Sequence, residues 1–256
     1  MHQIRQEIGI IIKSSREIAI MREAGRVVAA IIDALSKEVR PGITTAELDK
    51  VAVNELKRRA AVSSFKGYRG FPASICTSVN EEVVHGIPGN RMLEEGDIIS
   101  LDVGASLKGF HADAAVTLAV GTISPDARKL MEATRGALES GIAAARDGAR
   151  LGDVSAAIQS YAESRGFSVV REYVGHGIGR DLHEEPQVPN FGIAGEGALL
   201  KKGMTMALEP MVNAGVWRTR LTDNKWTVVT ADGKLSAHFE HTIAITDGMP
   251  EILTML

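Results

Sequence analysis

The sequence predicts an α+β fold with a largely antiparallel sheet. Helical and strand-like stretches come in blocks, not in strict βαβ alternation. Two strand-like runs, 98–104 and 110–120, are joined by the short Leu107-Lys108-Gly109, which reads as a hairpin and therefore as antiparallel pairing. No Gly/Ser/Pro linker, low-complexity stretch or repeat divides the 256 residues. The chain is thus read as one domain, 1–256, with a short N-terminal extension of about a dozen residues.

The helices come first in order. Ser14 with Glu17 three residues later forms a capping-box pattern. Ile18, Met21, Ala24, Val28, Ile31, Ile32 and Leu35 then recur at helical spacing, and Pro41-Gly42 ends the run. Thr44 and Glu47 open a second helix reaching about Ala60. Ser124 as N-cap and Pro125 at the first helical position open a third, to about Arg146. A fourth spans roughly 152–164 and ends at Gly166. Strands are expected at 74–79, 98–104, 110–120, 169–174, 204–208, 226–230 and 238–246.

Composition excludes several classes. The formal net charge of −3 gives no basic signature for nucleic acid or anionic lipid. A single cysteine, Cys76, rules out an intrachain disulfide and a cysteine zinc site. The most apolar run, 27–35, is short and carries Asp33, so no membrane span is expected. The N-terminus lacks a signal peptide's apolar core, and Glu7 argues against a transit peptide. A soluble cytoplasmic protein is expected.

Five residues able to bind metal stand within or beside apolar runs: Asp102, Asp113, His176, Glu209 and Glu240. An ionised carboxylate in such surroundings is costly unless a cation or donor compensates it. Four carboxylates and one imidazole, with no thiolate, point to a centre rich in hard oxygen ligands. With a tight turn, Asp102 and Asp113 face each other across the hairpin, about a midpoint between Leu107 and Lys108 and within one residue for a bulge. Their repulsion would be relieved by metals bridged by carboxylates. Singly each residue has a bland reading: Asp102 and Asp113 as solvated strand residues, His176 as a side chain displayed on an open Gly-flanked backbone, Glu209 as a strand end, Glu240 as a surface strand residue. The run 175–179 does not fit dinucleotide spacing, and His183-Glu184-Glu185-Pro186 is no zincin helix.

Together these residues lie in motifs that resemble the bacterial type I methionine aminopeptidases. The stretches are Ser78-Val79-Asn80-Glu81, His85-Gly86-Ile87-Pro88, Gly175-His176-Gly177-Ile178-Gly179, His183-Glu184-Glu185-Pro186, Glu209-Pro210-Met211-Val212-Asn213 and Glu240-His241-Thr242. The resemblance implies the pita-bread fold, a curved, mainly antiparallel sheet covered by helices on its outer face. It implies two divalent metal ions (Co, Mn, Fe or Zn) held by Asp102, Asp113, His176, Glu209 and Glu240, with Asp113 and Glu240 bridging. It implies a metal-bridged water or hydroxide that attacks the peptide carbonyl, Glu209 as proton shuttle, and His85 and His183 as catalytic, substrate-facing histidines. Its methionine pocket maps onto Tyr68, Phe71, Cys76, Leu182 and Trp226. Phe71 replaces a frequent Tyr and Leu182 a frequent Phe; for Cys76, core packing is the competing reading. The implied substrates are N-termini of nascent polypeptides with a small second residue. The implied partner is the ribosome near its exit tunnel, and the implied state a monomer. A proline-specific aminopeptidase of the same fold and a non-catalytic binding module are the rival readings; the first carries a long N-terminal domain, and the second loses ligand residues.

Overall fold

The computed structural model describes residues 9–256; the rest of the N-terminal extension lies outside the described residues. Helix α1 (Ser15–Glu38) starts as the capping box requires. The Ser14 hydroxyl accepts from the Glu17 amide, and the Glu17 carboxylate accepts from the Ser14 amide. Helix α2 (Thr45–Arg58) repeats the reciprocal pair with Thr44 and Glu47. Helix α3 (Pro125–Ala144) is capped by Ser124, and α4 (Leu151–Glu163) by Arg150, whose amide donates to the Asp153 carboxylate. Each expected helix is present, with ends shifted by one or two residues.

The strands are shorter and more numerous than expected. In chain order they are β1 (Val62–Ser63), β2 (Cys76–Val79), β3 (Glu82–Val84), β4 (Ile98–Leu107) and β5 (Phe110–Ala119). Next come β6 (Ser168–Val169), β7 (Gly175–Gly177), β8 (Glu184–Val188), β9 (Thr205–Leu208) and β10 (Met211–Asn213). The last are β11 (Thr219–Leu221), β12 (Val228–Thr230), β13 (Ser236–His238), β14 (His241–Ala244) and β15 (Glu251–Ile252). All pairings among them are antiparallel, and hydrogen bonding divides them into four segments. Two expectations are corrected here. The run 169–174 is a strand only over β6: Val170 still bonds across to Met211, but the chain bends at 171–173 before Gly175. The run 238–246 is two strands. The chain leaves β10 for β9 at Phe239-Glu240, and the Glu240 backbone bonds reciprocally to Ala115 on β5.

Period-two alternation on the hairpin decides which residues meet the helices. Ile99, Leu101 and Val103 of β4, with Ala112 and Ala114 of β5, pack against Val28, Ile31 and Leu35 of α1 and Leu48 and Ala52 of α2. The intervening residues, Asp102 and Asp113 among them, therefore point away from these helices. A second core joins α3 and α4 to Met206, Leu208, Val212 and Ile243. The C-terminal strand closes on α1: Arg22 pairs with Glu251 at 2.5 Å, and a Cβ at Gly25 would meet the Leu253 carbonyl oxygen at 2.1 Å. Glycine at 25 is thus a packing requirement.

A buried acidic centre and its apolar cavity

The β4–β5 turn sets the first pair of carboxylates. Leu107 pairs with Phe110 around Lys108 and Gly109, both at positive φ (53° and 78°). This two-residue turn centres the register between Lys108 and Gly109. Asp102 therefore pairs with Ala115 and Asp113 with Gly104. The expected face-to-face opposition of Asp102 and Asp113 is corrected to a diagonal: they share a face but stand one same-face step apart. Glu240 is delivered by its backbone pairing with Ala115, the residue directly opposite Asp102 and one same-face step from Asp113. Glu209 follows the last residue of β9, and the Asn190 amide donates to its carbonyl oxygen at 3.1 Å.

His176 enters from β7, a strand with paired neighbours on both sides. Its backbone is not open, as the flanking glycines suggested, but tightly enclosed. A Cβ at Gly175 would meet the Ala207 carbonyl oxygen at 2.4 Å, and one at Gly177 the Glu185 carbonyl oxygen at 2.2 Å. His176 Nδ1 lies 2.9 Å from the Gly177 carbonyl oxygen, which can only accept. The proton therefore sits on Nδ1, and the Nε2 lone pair faces the acids, 3.5 Å from both Asp113 Oδ2 and Glu209 Oε1. Ligand atoms of Asp113, His176 and Glu240 lie within 4.8 Å of one another, and all three residues are buried.

The electrostatics of this group are unbalanced. Burial, and then the neighbouring carboxylates, push the Asp102, Glu209 and Glu240 carboxyls well above the usual range. Burial raises Asp113 too, although the Thr242 hydroxyl favours its charge. Divalent cations suit these residues: four hard oxygen donors, one imidazole lone pair held ready, and repulsion that a cation would relieve. The Thr242 hydroxyl, 2.8 Å from the Asp113 carbonyl oxygen and 3.0 Å from Oδ1, fixes that carboxylate. Its role was not read from the sequence, although it stands in the Glu240-His241-Thr242 motif.

All the sequence-identified site residues line one cavity. His183 lies against His176 with its ring tilted (centroids 4.1 Å apart, planes 41°) and stacks on Tyr68 (5.2 Å, planes 22° apart). His85, at a left-handed φ of 61°, meets Trp226 edge-on at 6.5 Å. Burial lowers the His85 imidazole to about 4. Burial, His176 and Arg69 lower His183 to about 3. Both imidazoles are therefore neutral at pH 7. Phe71, Cys76 and Trp226 form an apolar wall, with Phe71 and Trp226 rings 5.1 Å apart at 74°. Leu182 and Tyr68 form a second wall backed by Met21, Phe110 and Ile178. Burial pushes the Cys76 thiol well up, so it serves as an apolar surface and not as a thiolate ligand. Phe65 and Arg69 also line the cavity. No sequence pattern marked them.

Comparison with known proteins places this geometry. The profile of metallopeptidase family M24 matches residues 19–247. Methionine aminopeptidase 1 of Bacillus subtilis is 56% identical over 245 residues, 96% of this chain and 99% of that protein. A methionine aminopeptidase of Clostridium acetobutylicum is 53% identical over 247 residues, 96% and 99% of the two chains. The crystal structure of a methionine aminopeptidase from Thermotoga maritima superposes with a TM-score of 0.95 at 48% identity, covering 96% of this chain and 100% of that one. A prolidase from Pyrococcus furiosus shares the fold alone, at a TM-score of 0.80, 20% identity, and 99% and 67% coverage. The pita-bread fold expected from the motifs is the one present. With the acidic centre, the cavity and these likenesses together, the chain belongs to metallopeptidase family M24, among the bacterial methionine aminopeptidases.

Proposed function

We propose that this cavity removes the N-terminal methionine from peptides whose second residue is small. The observation that carries the reading is convergence. Five metal-binding side chains, two neutral histidines and an apolar slot share one cavity. Asp102, Asp113, His176, Glu209 and Glu240 would hold two divalent cations, of which Mn²⁺, Fe²⁺ or Co²⁺ suit oxygen donors better than a structural zinc would. When bound, the metals supply Lewis acidity toward the substrate carbonyl and toward water.

The chain's own residues do the rest. Glu209 takes a proton from water and passes it toward the leaving amine. His183, neutral, donates an N–H to the carbonyl oxygen as charge grows there. His85 faces the leaving nitrogen. Tyr68, Phe71, Cys76, Leu182 and Trp226 take the unbranched, polarisable methionine side chain. A wrong branch in such a slot costs only about 1–3 kcal/mol, so leucine is cleaved poorly but measurably.

On this reading the substrates are new polypeptides met by a cytoplasmic monomer near the ribosomal exit tunnel. No helix among the described residues is long and apolar enough to cross a membrane. The test compares kcat/KM for Met-Ala, Met-Lys, Leu-Ala and Ala-Pro peptides before and after chelation. Met-Ala leads, chelation abolishes its cleavage, and added Mn²⁺ restores it. Full activity without metal would sink the metal assignment. Preference for Ala-Pro would support the proline-specific rival, and no cleavage at all the binding module.

A further inference from the structure

Arg69 belongs to the cavity lining but to none of the chemistry above. It sits in a one-turn 3₁₀ segment, Tyr68–Gly70, with its own φ at 49° and ψ at 21°. That left-handed conformation disfavours residues other than glycine or asparagine. The turn is nonetheless firmly held. Tyr68 N donates to Phe65 O at 2.9 Å, Gly67 N to Phe71 O at 2.8 Å and Phe71 N to Tyr68 O at 2.9 Å. A long cationic side chain is thus presented at a strained position on a fixed turn, a combination that clusters at ligand-binding sites.

Its surroundings say what it lacks. Arg22, Arg59 and Arg180 each pair with a carboxylate; Arg69, like several other exposed arginines among the described residues, does not, but it alone of the arginines lines this cavity. Its guanidinium lies 5.4 Å from the Tyr68 ring centroid, and that ring stacks on His183 at 5.2 Å. The residue is exposed, so it marks the mouth of the cavity, whereas the acidic centre is deep. With two divalent cations bound, the formal charge of the four carboxylates is balanced. Arg69 then supplies the net charge of the lining.

We infer that Arg69 is a specificity-determining residue that binds a carboxylate on the third residue of the substrate and selects acidic over basic side chains there. The inference rests on the aminopeptidase reading, which puts the scissile carbonyl beside His183. An extended peptide advances about 3.3 Å per residue. The ring stack and the cation–π contact, laid end to end, are the farthest the guanidinium can lie from the His183 ring, about three extended residues, so the third residue's side chain comes within its reach. Being exposed, the pair has a modest, salt-dependent effect.

The test uses C-terminally amidated Met-Ala-Glu, Met-Ala-Gln and Met-Ala-Lys peptides with the metal-loaded enzyme. Amidation leaves the side chain as the only peptide carboxylate. A free-acid Met-Ala-Gln arm shows whether a terminal carboxylate is captured as well. The readout is the Glu-to-Lys ratio of kcat/KM within one protein, so differences in active fraction cancel. We expect the parent to favour Glu about 3–10-fold at low salt, the ratio to fall toward one in 0.5 M NaCl, and Arg69→Glu to invert it. Arg69→Gln should give a ratio near one, and the salt series in the parent requires no variant to fold. A parent ratio of one or below, or a ratio unchanged in both variants, overturns the inference while Met-Ala-Gln is still cleaved. If Met-Ala-Gln is not cleaved, the aminopeptidase reading fails and the inference falls with it.

Discussion

Glu209 and His183 both face the proposed reacting carbonyl, but they differ in kind. Burial, and then Asp113 and Asp102, push the Glu209 carboxyl well above the usual range, and its place in the cavity beside His176 suits a proton carrier. Glu209→Gln keeps the shape and loses the base. Turnover of Met-Ala-Ser should fall at least ~10²-fold, and His183→Ala should cost a comparable factor through weaker oxyanion stabilisation. Parent turnover in Glu209→Gln with metal still bound would refute the shuttle. Thr242 acts one step out. Thr242→Val removes the hydroxyl that fixes Asp113, and Mn²⁺ affinity measured by calorimetry should weaken ~10–100-fold. Much of the site was legible because a charged residue in an apolar run is conspicuous, as Asp102 and Glu240 are. Arg69 and Phe65 were not, since nothing in their local sequence separates a cavity-facing side chain from a solvent-facing one. The diagonal of Asp102 and Asp113 was missed because a change in turn centre is invisible until both turn residues take positive φ.

At the level of elements, the helices were legible and the short strands were not. Ser14–Glu17 and Thr44–Glu47 are local, reciprocal bonds whose spacing alone announces them. Strands such as β7 and β10, three residues each, are too short to display alternation. Their identity comes from neighbours far away in sequence, as with Gly175 lodged against Ala207. The loop carrying Leu182 and His183 depends on one such distant partner. Lys13 Nζ lies 2.5 Å from Glu184 Oε2, and both side chains are almost wholly buried. The other Glu184 oxygen accepts from the Arg180 and Asp181 amides at 2.8 and 3.3 Å. Lys13→Met leaves that carboxylate buried with its two amide donors but without its countercharge. Urea denaturation should show a loss of about 3–5 kcal/mol. A loss below ~1 kcal/mol, the range of surface pairs, would mean that the carboxylate finds water instead.

For the whole molecule, two main cores back the separate sheet segments, and the proposed metal centre lies where their strands meet. β4 and β5 belong to the first core, β9 and β14 largely to the second. If the chain is one domain, as the sequence suggested, fluorescence and circular dichroism melts of metal-loaded protein should coincide. Separate transitions would divide it between the α1–α2 and α3–α4 halves. Metal should bind the two halves together. At a free Mn²⁺ concentration 100 times Kd it should stabilise by ~2.7 kcal/mol, raising Tm by about 5–10 °C over the chelated protein. An unchanged Tm, with binding independently shown, would mean that the acids pair equally well in the unfolded chain.

The contact between α1 and the C-terminal strand also has a meaning in time. Arg22 and Glu251 are 229 residues apart in sequence, and Gly25 is reserved for the backbone at Leu253. At ~5–20 residues per second, a ribosome needs on the order of 10–45 s to go from one to the other. Met21, fully buried in the finished protein against Ala244 and Leu253, has no such cover for that interval. Glu240, too, is made long after Asp102 and Asp113. The nascent enzyme therefore carries an open seam along α1 and an incomplete ligand set until the segment 240–253 has been made. Seam and ligand set then close together.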